Sequence, residues 1–344
     1  MKKVTNFLKG NKHLRRLLVL ILTIVGFLFL IAIIPPKKVI DYNPFISPKD
    51  YGVLIAAHRG GKNLNPENTF KAFDYAIENY DIDILELDLC MTKDGYLVSI
   101  HNETINETSD VEEVTGSKEP YYVIEHTLAE LLNFNFGAKF IDKNGVMPYK
   151  NFVSVNQENR SEIIRNEKLN IVTIDEIFAA YYETDLKFIV EIKNSGEVGK
   201  KAADLLADLL QVYESVNLIN RVVIGTFHDE IAEYLQLKYP RIIRGGSVGE
   251  VTQFIFTQML GVNLFNNPSF ECLQIPTSET AAGISLKLDK PTYINQAHRR
   301  NISVQYWTIN DQATMERLIK LGADVIMTDD PDLLYEVLKN MNYR

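Results

Sequence analysis

The stretch Ile84-Leu85-Glu86-Leu87-Asp88-Leu89-Cys90-Met91-Thr92-Lys93-Asp94-Gly95-Tyr96-Leu97-Val98-Ser99-Ile100-His101 decides the fold. Ile84–Asp88 and Leu97–His101 read as strands. Asp94-Gly95 between them is a two-residue hairpin signal, because both central residues of a type I′ turn need φ > 0. A parallel return would need a crossover of a dozen or more residues, which this stretch does not contain. Leu97–His101 is therefore expected to run antiparallel, and a turn centred on Asp94-Gly95 sets Asp88 opposite His101. Working outward, the other strand candidates are Val53–His58, Phe188–Lys193, Val222–Thr226, Ile242–Gly246, Cys272–Ile275, Val304–Trp307 and Val325–Thr328. Helical patterns fall at Asn68–Tyr80, Leu128–Asn133, Ile174–Glu183, Lys200–Ser215, Glu230–Lys238, Thr292–Arg300 and Gln312–Leu321. With the hairpin strand set aside, eight parallel strands alternate with helices, the count of an α/β (β/α)8 barrel. Residues 135–170 read as a long polar insertion, of the kind that is functional or disordered.

The 344 residues are 46% hydrophobic and 24% charged, with a net charge of −9. That excess of acid excludes nucleic acid as a partner for the body of the protein, since phosphate backbones need a basic surface. The two cysteines, Cys90 and Cys272, are too few and too far apart for a disulfide framework or a zinc site and are expected to be buried thiols. Charge is unevenly spread. Residues 1–16 carry Lys2, Lys3, Lys9, Lys12, Arg15 and Arg16 and no acid, and residues 17–34 carry no charge at all. As a helix that run is about 27 Å long, close to the roughly 30 Å hydrocarbon thickness of a bilayer. Pro35-Pro36 ends it and no small-residue cleavage site follows, so the reading is an uncleaved transmembrane signal anchor. Six basic residues precede the run and two, Lys37 and Lys38, follow it, which predicts a cytoplasmic N-terminus (1–16) and the large domain outside. Residues 35–50 then read as a linker and 51–344 as the domain.

Three segments gather chemistry at strand ends: Ala57-His58-Arg59-Gly60-Gly61 with Asn65-Pro66-Glu67-Asn68-Thr69; Glu86-Leu87-Asp88 with His101-Asn102; and Glu191-Ile192-Lys193. In a barrel such ends converge on one mouth. Glu86 and Asp88 are two apart and share a strand face. With Glu191 they form an oxygen-only set that suits Mg²⁺ or Ca²⁺ better than zinc. His58 and His101 are the candidate acid and base, because imidazole exchanges protons near neutral pH. Arg59 offers a planar fork for phosphate oxygens and Lys193 a point charge. His13, His126, His228 and His298 read as non-catalytic.

The order HRGG, PENT, ELDxxxTKDGxxVxxH, EIK, WTIND and GADVIMTDDP, spanning roughly residues 53–335, resembles the glycerophosphodiester phosphodiesterase family. The resemblance implies a distorted TIM barrel of the phospholipase C-like type and hydrolysis of glycerophosphodiesters to glycerol 3-phosphate and an alcohol. It implies catalytic roles for His58 and His101, metal ligation by Glu86, Asp88 and Glu191, phosphate contacts from Arg59 and Lys193, support from Glu67 and Asn68, and a place near the substrate pocket for Trp307. The family usually has His-Asp where this chain has His101-Asn102, and Asn keeps the shape without the charge. The assignment carried forward is His58 as base and His101 as acid, with water or the glycerol 2-hydroxyl as nucleophile. The rivals are lysophospholipase D-like or wall-polymer cleavage on the same scaffold, phosphoinositide or sphingomyelin cleavage, and a catalytically weakened binding module.

Overall fold

The computed structural model describes residues 12–281 and 283–344. Its strands are β1 (Leu54–Ala57), β2 (Ile84–Met91), β3 (Leu97–Ser99), β4 (Lys187–Ile192), β5 (Val222–Gly225), β6 (Ile243–Arg244), β7 (Cys272–Ile275), β8 (Ser278–Ala281), β9 (Ile284–Lys287), β10 (Ser303–Tyr306) and β11 (Val325–Thr328). Eight of them lie in the order β6-β5-β4-β2-β1-β11-β10-β7 and are parallel. A parallel bridge from Gly245 to Cys272 joins the two ends, so the eight close into the expected barrel.

Strand side chains alternate between two cores, as a period of two requires. Leu85, Leu87, Phe188, Val190, Val222, Ile224, Leu273, Val304 and Ile326 point outward and pack against the helices. Ile84, Ile189, Val223, Ile243, Cys272, Val325 and Met327 point inward and fill the barrel. The inward rows continue toward the C-terminal ends of the strands as Glu86, Asp88 and Glu191. Both cysteines are free and buried.

The β2–β3 hairpin exists, but its register differs by one residue from the expected one. Leu89 pairs with Ser99, Cys90 with Val98 and Met91 with Leu97. Thr92 and Tyr96 close a three-residue loop, with Thr92 N donating to Tyr96 O at 2.8 Å and Gly95 N to Thr92 O at 3.0 Å. Of the loop residues only Gly95, at φ 88, is left-handed, so the turn is not type I′. Three-residue loops with glycine in that position are the next commonest hairpin connection. Asp88 therefore stands opposite Ile100, whose N–H donates to Asp88 O at 3.0 Å, and His101 follows one residue later.

Residues 35–50 are not a free linker. Phe45 is fully buried among the inward-facing residues. Asn43 Nδ2 donates to Glu271 O (2.8 Å) and Asn301 O (2.9 Å), and Ser303 Oγ donates to Phe45 O at 2.7 Å. These partners lie at the starts of β7 and β10, so the segment plugs the N-terminal end of the barrel. An open barrel end would expose apolar side chains to water, and one aromatic ring covers them. Phe45→Ala should destabilise the domain by about 3–5 kcal/mol, read as a lower midpoint in urea unfolding. A truncated chain beginning at Tyr51 should be destabilised in the same way, whereas one beginning near residue 37 keeps the plug.

The insertion begins sooner than residue 135. The chain leaves the barrel after β3 and returns at β4. It builds one small core from Ile100, Ile105, Val111, Val123, Leu131, Phe134, Phe136 and Ile171 and another from Val153, Ile164 and Leu169. Buried Arg160 ties them together. It pairs with Asp110 and donates to the carbonyls of Asn133, Val153 and Ser154. The helices Val111–Thr115 and Arg160–Asn166 inside it, the helices Val248–Met259 and Pro331–Asn340, and the β8–β9 hairpin are absent from the sequence reading.

Lys12–Ile33 is a helix with Leu17, Val19, Leu20, Leu22, Val25, Phe27, Phe29 and Leu30 exposed. Lys2, Lys3 and Lys9 lie outside the described residues, as do the side chains of residues 28 and 31–33 within the apolar run. Among the described residues no helix is long and apolar enough to cross a membrane.

Candidate active site

Every residue singled out in the sequence for chemistry lies at or beside the C-terminal mouth of the barrel. β1 ends at Ala57, and the chain turns sharply through His58, Arg59 (φ 52), Gly60 (φ 82) and Gly61 (φ 86). A Cβ at Gly60 would stand 2.6 Å from the Phe73 ring, so only glycine lets this turn sit on the following helix. The turn aims Arg59 N–H at Glu86 Oε2 (2.7 Å). It also lays the guanidinium between Glu67 Oε1 (3.1 Å to Nη1) and Asp88 Oδ2 (3.4 Å to Nε). Asn68 Nδ2 donates to Asp88 Oδ2 at 3.2 Å, and Ser99 Oγ donates to Asn68 Oδ1 at 2.7 Å. Glu67 and Asn68 thus orient the groups around them.

Glu86 and Asp88 share the inner face of β2, and the β2–β4 register puts Glu191 beside Asp88. One oxygen from each carboxylate lies within 4.8 Å of the others. Burial, and then the neighbouring Asp88 charge, push Glu86 up to about 8. Burial likewise raises Glu191, even though Lys193 Nζ donates to it at 2.7 Å. Three carboxylates this close and this dry repel one another unless a cation or protons intervene. An oxygen-only donor set around one point matches a hard divalent cation, so the residues present fit such an ion.

The two histidines face the cavity in different settings. His58 Nδ1 is 2.5 Å from Asp329 Oδ1, and its Nε2 is 3.9 Å from Glu86 Oε2. Burial alone would lower its pKa, but Glu86 and Asp329 outweigh burial and raise it. Asp329 is held in turn by Asn310 Nδ2 at 2.7 Å. His101 Nδ1 is 2.6 Å from Asn102 Oδ1, and Asn102 Nδ2 donates to Glu107 Oε2 at 2.5 Å. Burial lowers the His101 pKa, and Arg59 and Lys193 add to this against the pull of Asp88. A carboxylate or amide oxygen on Nδ1 fixes the N–H there and leaves Nε2 for the cavity. Asn102 thus points at the imidazole rather than away from it.

The mouth opens into a cavity of about 520 Å³. Its floor is polar: His58, Arg59, Glu86, Asp88, His101, Glu191 and Lys193. Trp307 lines it, edge-on to Phe227 with centroids 5.7 Å apart. Asp329 and Asn310 were missed as functional candidates although both follow a recognised barrel strand, the position from which barrel side chains reach the mouth. Of the other histidines, His228 Nε2 contacts Lys193 O, His126 stacks on Tyr121 and His298 pairs with Asp324, and none lines the cavity.

Residues 58–333 match the model of the glycerophosphoryl diester phosphodiesterase family. The chain belongs to that family. As a glycerophosphodiester phosphodiesterase family member it is a phosphoric diester hydrolase. It is 27% identical over 293 residues to a glycerophosphodiester phosphodiesterase of Caldanaerobacter subterraneus subsp. tengcongensis, covering 83% of this chain and 98% of the relative. It is 25% identical over 307 residues to a lysophospholipase D of Rattus norvegicus, covering 83% and 86%. Its fold matches the glycerophosphoryl diester phosphodiesterase domain of a Mycobacterium tuberculosis protein with a TM-score of 0.64 at 17% identity, covering 83% of this chain and 98% of that one.

Proposed function

We propose that the protein hydrolyses glycerophosphodiesters to glycerol 3-phosphate and an alcohol, using a divalent cation, Mg²⁺ or Ca²⁺, held by Glu86, Asp88 and Glu191, and His58 and His101 as its acid–base pair. The observation that carries this reading is the meeting, in one cavity, of three close carboxylates, two imidazoles and two cationic side chains. A divalent cation bound there supplies positive charge against the charge that develops on a phosphate oxygen. Arg59 and Lys193 add donors for the remaining phosphate oxygens. His58, backed by Asp329, takes the proton of the nucleophile, water or the glycerol 2-hydroxyl, and Asp329 stabilises the imidazolium that forms, as the carboxylate of a His–Asp pair does. His101 returns a proton to the leaving oxygen. Release of glycerol 3-phosphate from glycerophosphocholine or glycerophosphoethanolamine tests the reading, and no release from either in the presence of both metals would overturn it.

Asn102 tests the role of His101. A carboxylate in place of the amide sets a negative charge on the Nδ1 side, which favours the protonated imidazole and raises its pKa. With His101 as the acid, the Asn102→Asp variant should show the basic limb of its pH–rate profile at higher pH. Movement of the acidic limb instead would make His101 the base, and two unmoved limbs would remove residue 102 from the mechanism.

Residues 17–34 are proposed to anchor the chain in a membrane once, with the N-terminus cytoplasmic and the barrel outside. The exposed apolar side chains of the helix and its basic flank support this. Full-length protein should sediment with membranes and resist carbonate extraction, and recovery in the soluble fraction would refute the anchor.

A further inference from the structure

A second cavity lies toward the end of the barrel opposite the catalytic mouth. Its volume is about 510 Å³, within the range of small-molecule sites. The chain just after the helix Asp229–Lys238, the approach to β6, the loop before β7 and the segment that follows the apolar helix Lys12–Ile33 enclose it. Arg244 lines it, but its guanidinium is committed to Glu250, Gln236 and Ser269. Lys37 and Lys38 are not committed. Both line the cavity and are exposed, and among the described residues neither has a hydrogen bond or an ion pair. Glu271 lines it as well and is fixed through its backbone. Its N–H donates to Arg244 O at 3.1 Å, and its carbonyl accepts from Ser303 N at 2.9 Å and Asn43 Nδ2 at 2.8 Å. Its Oε2 accepts from Arg244 N at 2.9 Å, but among the described residues no ion pair reaches the carboxylate. Burial pushes Glu271 up to about 7, so a cation beside it would be favourable. One acid without a countercharge and two free ammonium groups on the wall of one cavity suit a ligand that carries both signs.

We propose that this cavity binds a phosphate ester of a primary amino alcohol, the headgroup chemistry of phosphatidylethanolamine, with its phosphate on Lys37 and Lys38 and its ammonium on Glu271. A primary ammonium can donate hydrogen bonds to a carboxylate, and a quaternary one cannot. The aromatic ring on this wall, Tyr239, already carries Lys238 Nζ at 5.3 Å from its centroid. The bilayer is the favoured source of the headgroup, a step that rests on the anchor reading of residues 17–34. Lys37 stands three residues beyond Ile34, at most about 11 Å along the chain, and the polar layer of a bilayer is roughly 5–8 Å deep on each side. The lysines are held at the cavity, because Arg299 Nη2 donates to Ile34 O at 2.8 Å and Val39 N to Arg300 O at 2.9 Å. A headgroup bound at this end of the barrel would set the catalytic mouth on the side away from the bilayer, open to soluble diesters.

The test titrates full-length protein, in one fixed nonionic detergent with excess chelator, with the dihexanoyl forms of phosphatidylethanolamine, phosphatidylcholine and phosphatidylglycerol and with phosphoethanolamine. Calorimetry reads Kd, and native mass spectrometry reads the number of lipids retained. One ethanolamine lipid per chain should bind at least about tenfold more tightly than the choline or glycerol lipid. Lys37→Ala with Lys38→Ala, and separately Glu271→Gln, should each weaken that binding at least about tenfold, with unchanged thermal unfolding as the check on folding. The lysine pair is exposed and decides alone if Glu271→Gln fails to fold. His101→Ala, at the other end of the barrel, should bind as the parent does. Phosphoethanolamine bound as tightly as the lipid assigns the site to a soluble ester, and much weaker binding assigns it to the bilayer; both outcomes keep the site. No binding, equal binding of the three lipids, or binding lost in His101→Ala and kept in the lysine variant overturns it. Short-chain lipid in detergent needs no anchor, so failure here is separate from failure of membrane sedimentation.

Discussion

In excess EDTA, hydrolysis of glycerophosphodiesters should fall to background, and Mg²⁺ or Ca²⁺ should restore it. The expectation follows from Glu86, Asp88 and Glu191, whose oxygens lie within 4.8 Å of one another in a largely buried site. Without a cation the mouth is a repulsive pocket, shown by a Glu86 carboxyl pushed up to about 8 by burial and then by Asp88. Lys193 and Arg59 offset part of that charge, but both are also the donors proposed for the phosphate. An ion that binds the folded protein and not the unfolded one also stabilises it by mass action, by about 2.7 kcal/mol at a hundredfold excess over Kd. Unfolding temperature should therefore rise with added metal, a readout separate from turnover. Glu86→Gln and Glu191→Gln should each lower both activity and the metal-dependent rise in unfolding temperature. Undiminished turnover in strong chelator would remove the cation from the mechanism.

His58→Ala and His101→Ala should each lower kcat by roughly 10²–10⁴-fold, the usual contribution of a general acid or base. The two variants should differ in other respects. His58 is buried and held by Asp329 at 2.5 Å, so its loss takes the partner from Asp329 Oδ1, leaves that carboxylate to Asn310 and Lys62 on its other oxygen, and should cost stability as well. His101 is half-buried and held by Asn102 at the edge of the insertion, so its loss should leave unfolding nearly unchanged. Residues that act as one unit are strongly non-additive, and the double variant should be little worse than the poorer single one. A loss under about tenfold in both single variants would assign the proton transfers to other groups.

The amino-acid sequence by itself determined the elements that rest on local rules. Alternation of apolar runs and amphipathic stretches located all nine strands of the barrel and its hairpin, because side-chain period and turn chemistry are properties of a few consecutive residues. The same rules brought Glu86, Asp88, Glu191, His58 and His101 to strand ends, and the barrel brought those ends together. Where the local signal was ambiguous, the reading slipped. Asp94-Gly95 fits both a two-residue turn and a three-residue loop, and only the pairing of Thr92 with Tyr96 selected the register. The helix Val248–Met259 hid because it is rich in β-branched and aromatic residues and apolar on two faces, one against the core and one against the cavity. Its Ser247–Glu250 capping box was the one local signal that marked its start. Phe45 and Asp329 could not have been ranked from their neighbours in sequence. Phe45 owes its role to inward-facing residues from strands spread across the barrel, and Asp329 to a histidine 271 residues away. Which strand residue comes to lie within hydrogen-bond reach of which other, and which apolar face is left without a partner, depend on how the strands close around one another, and only the tertiary structure decided them.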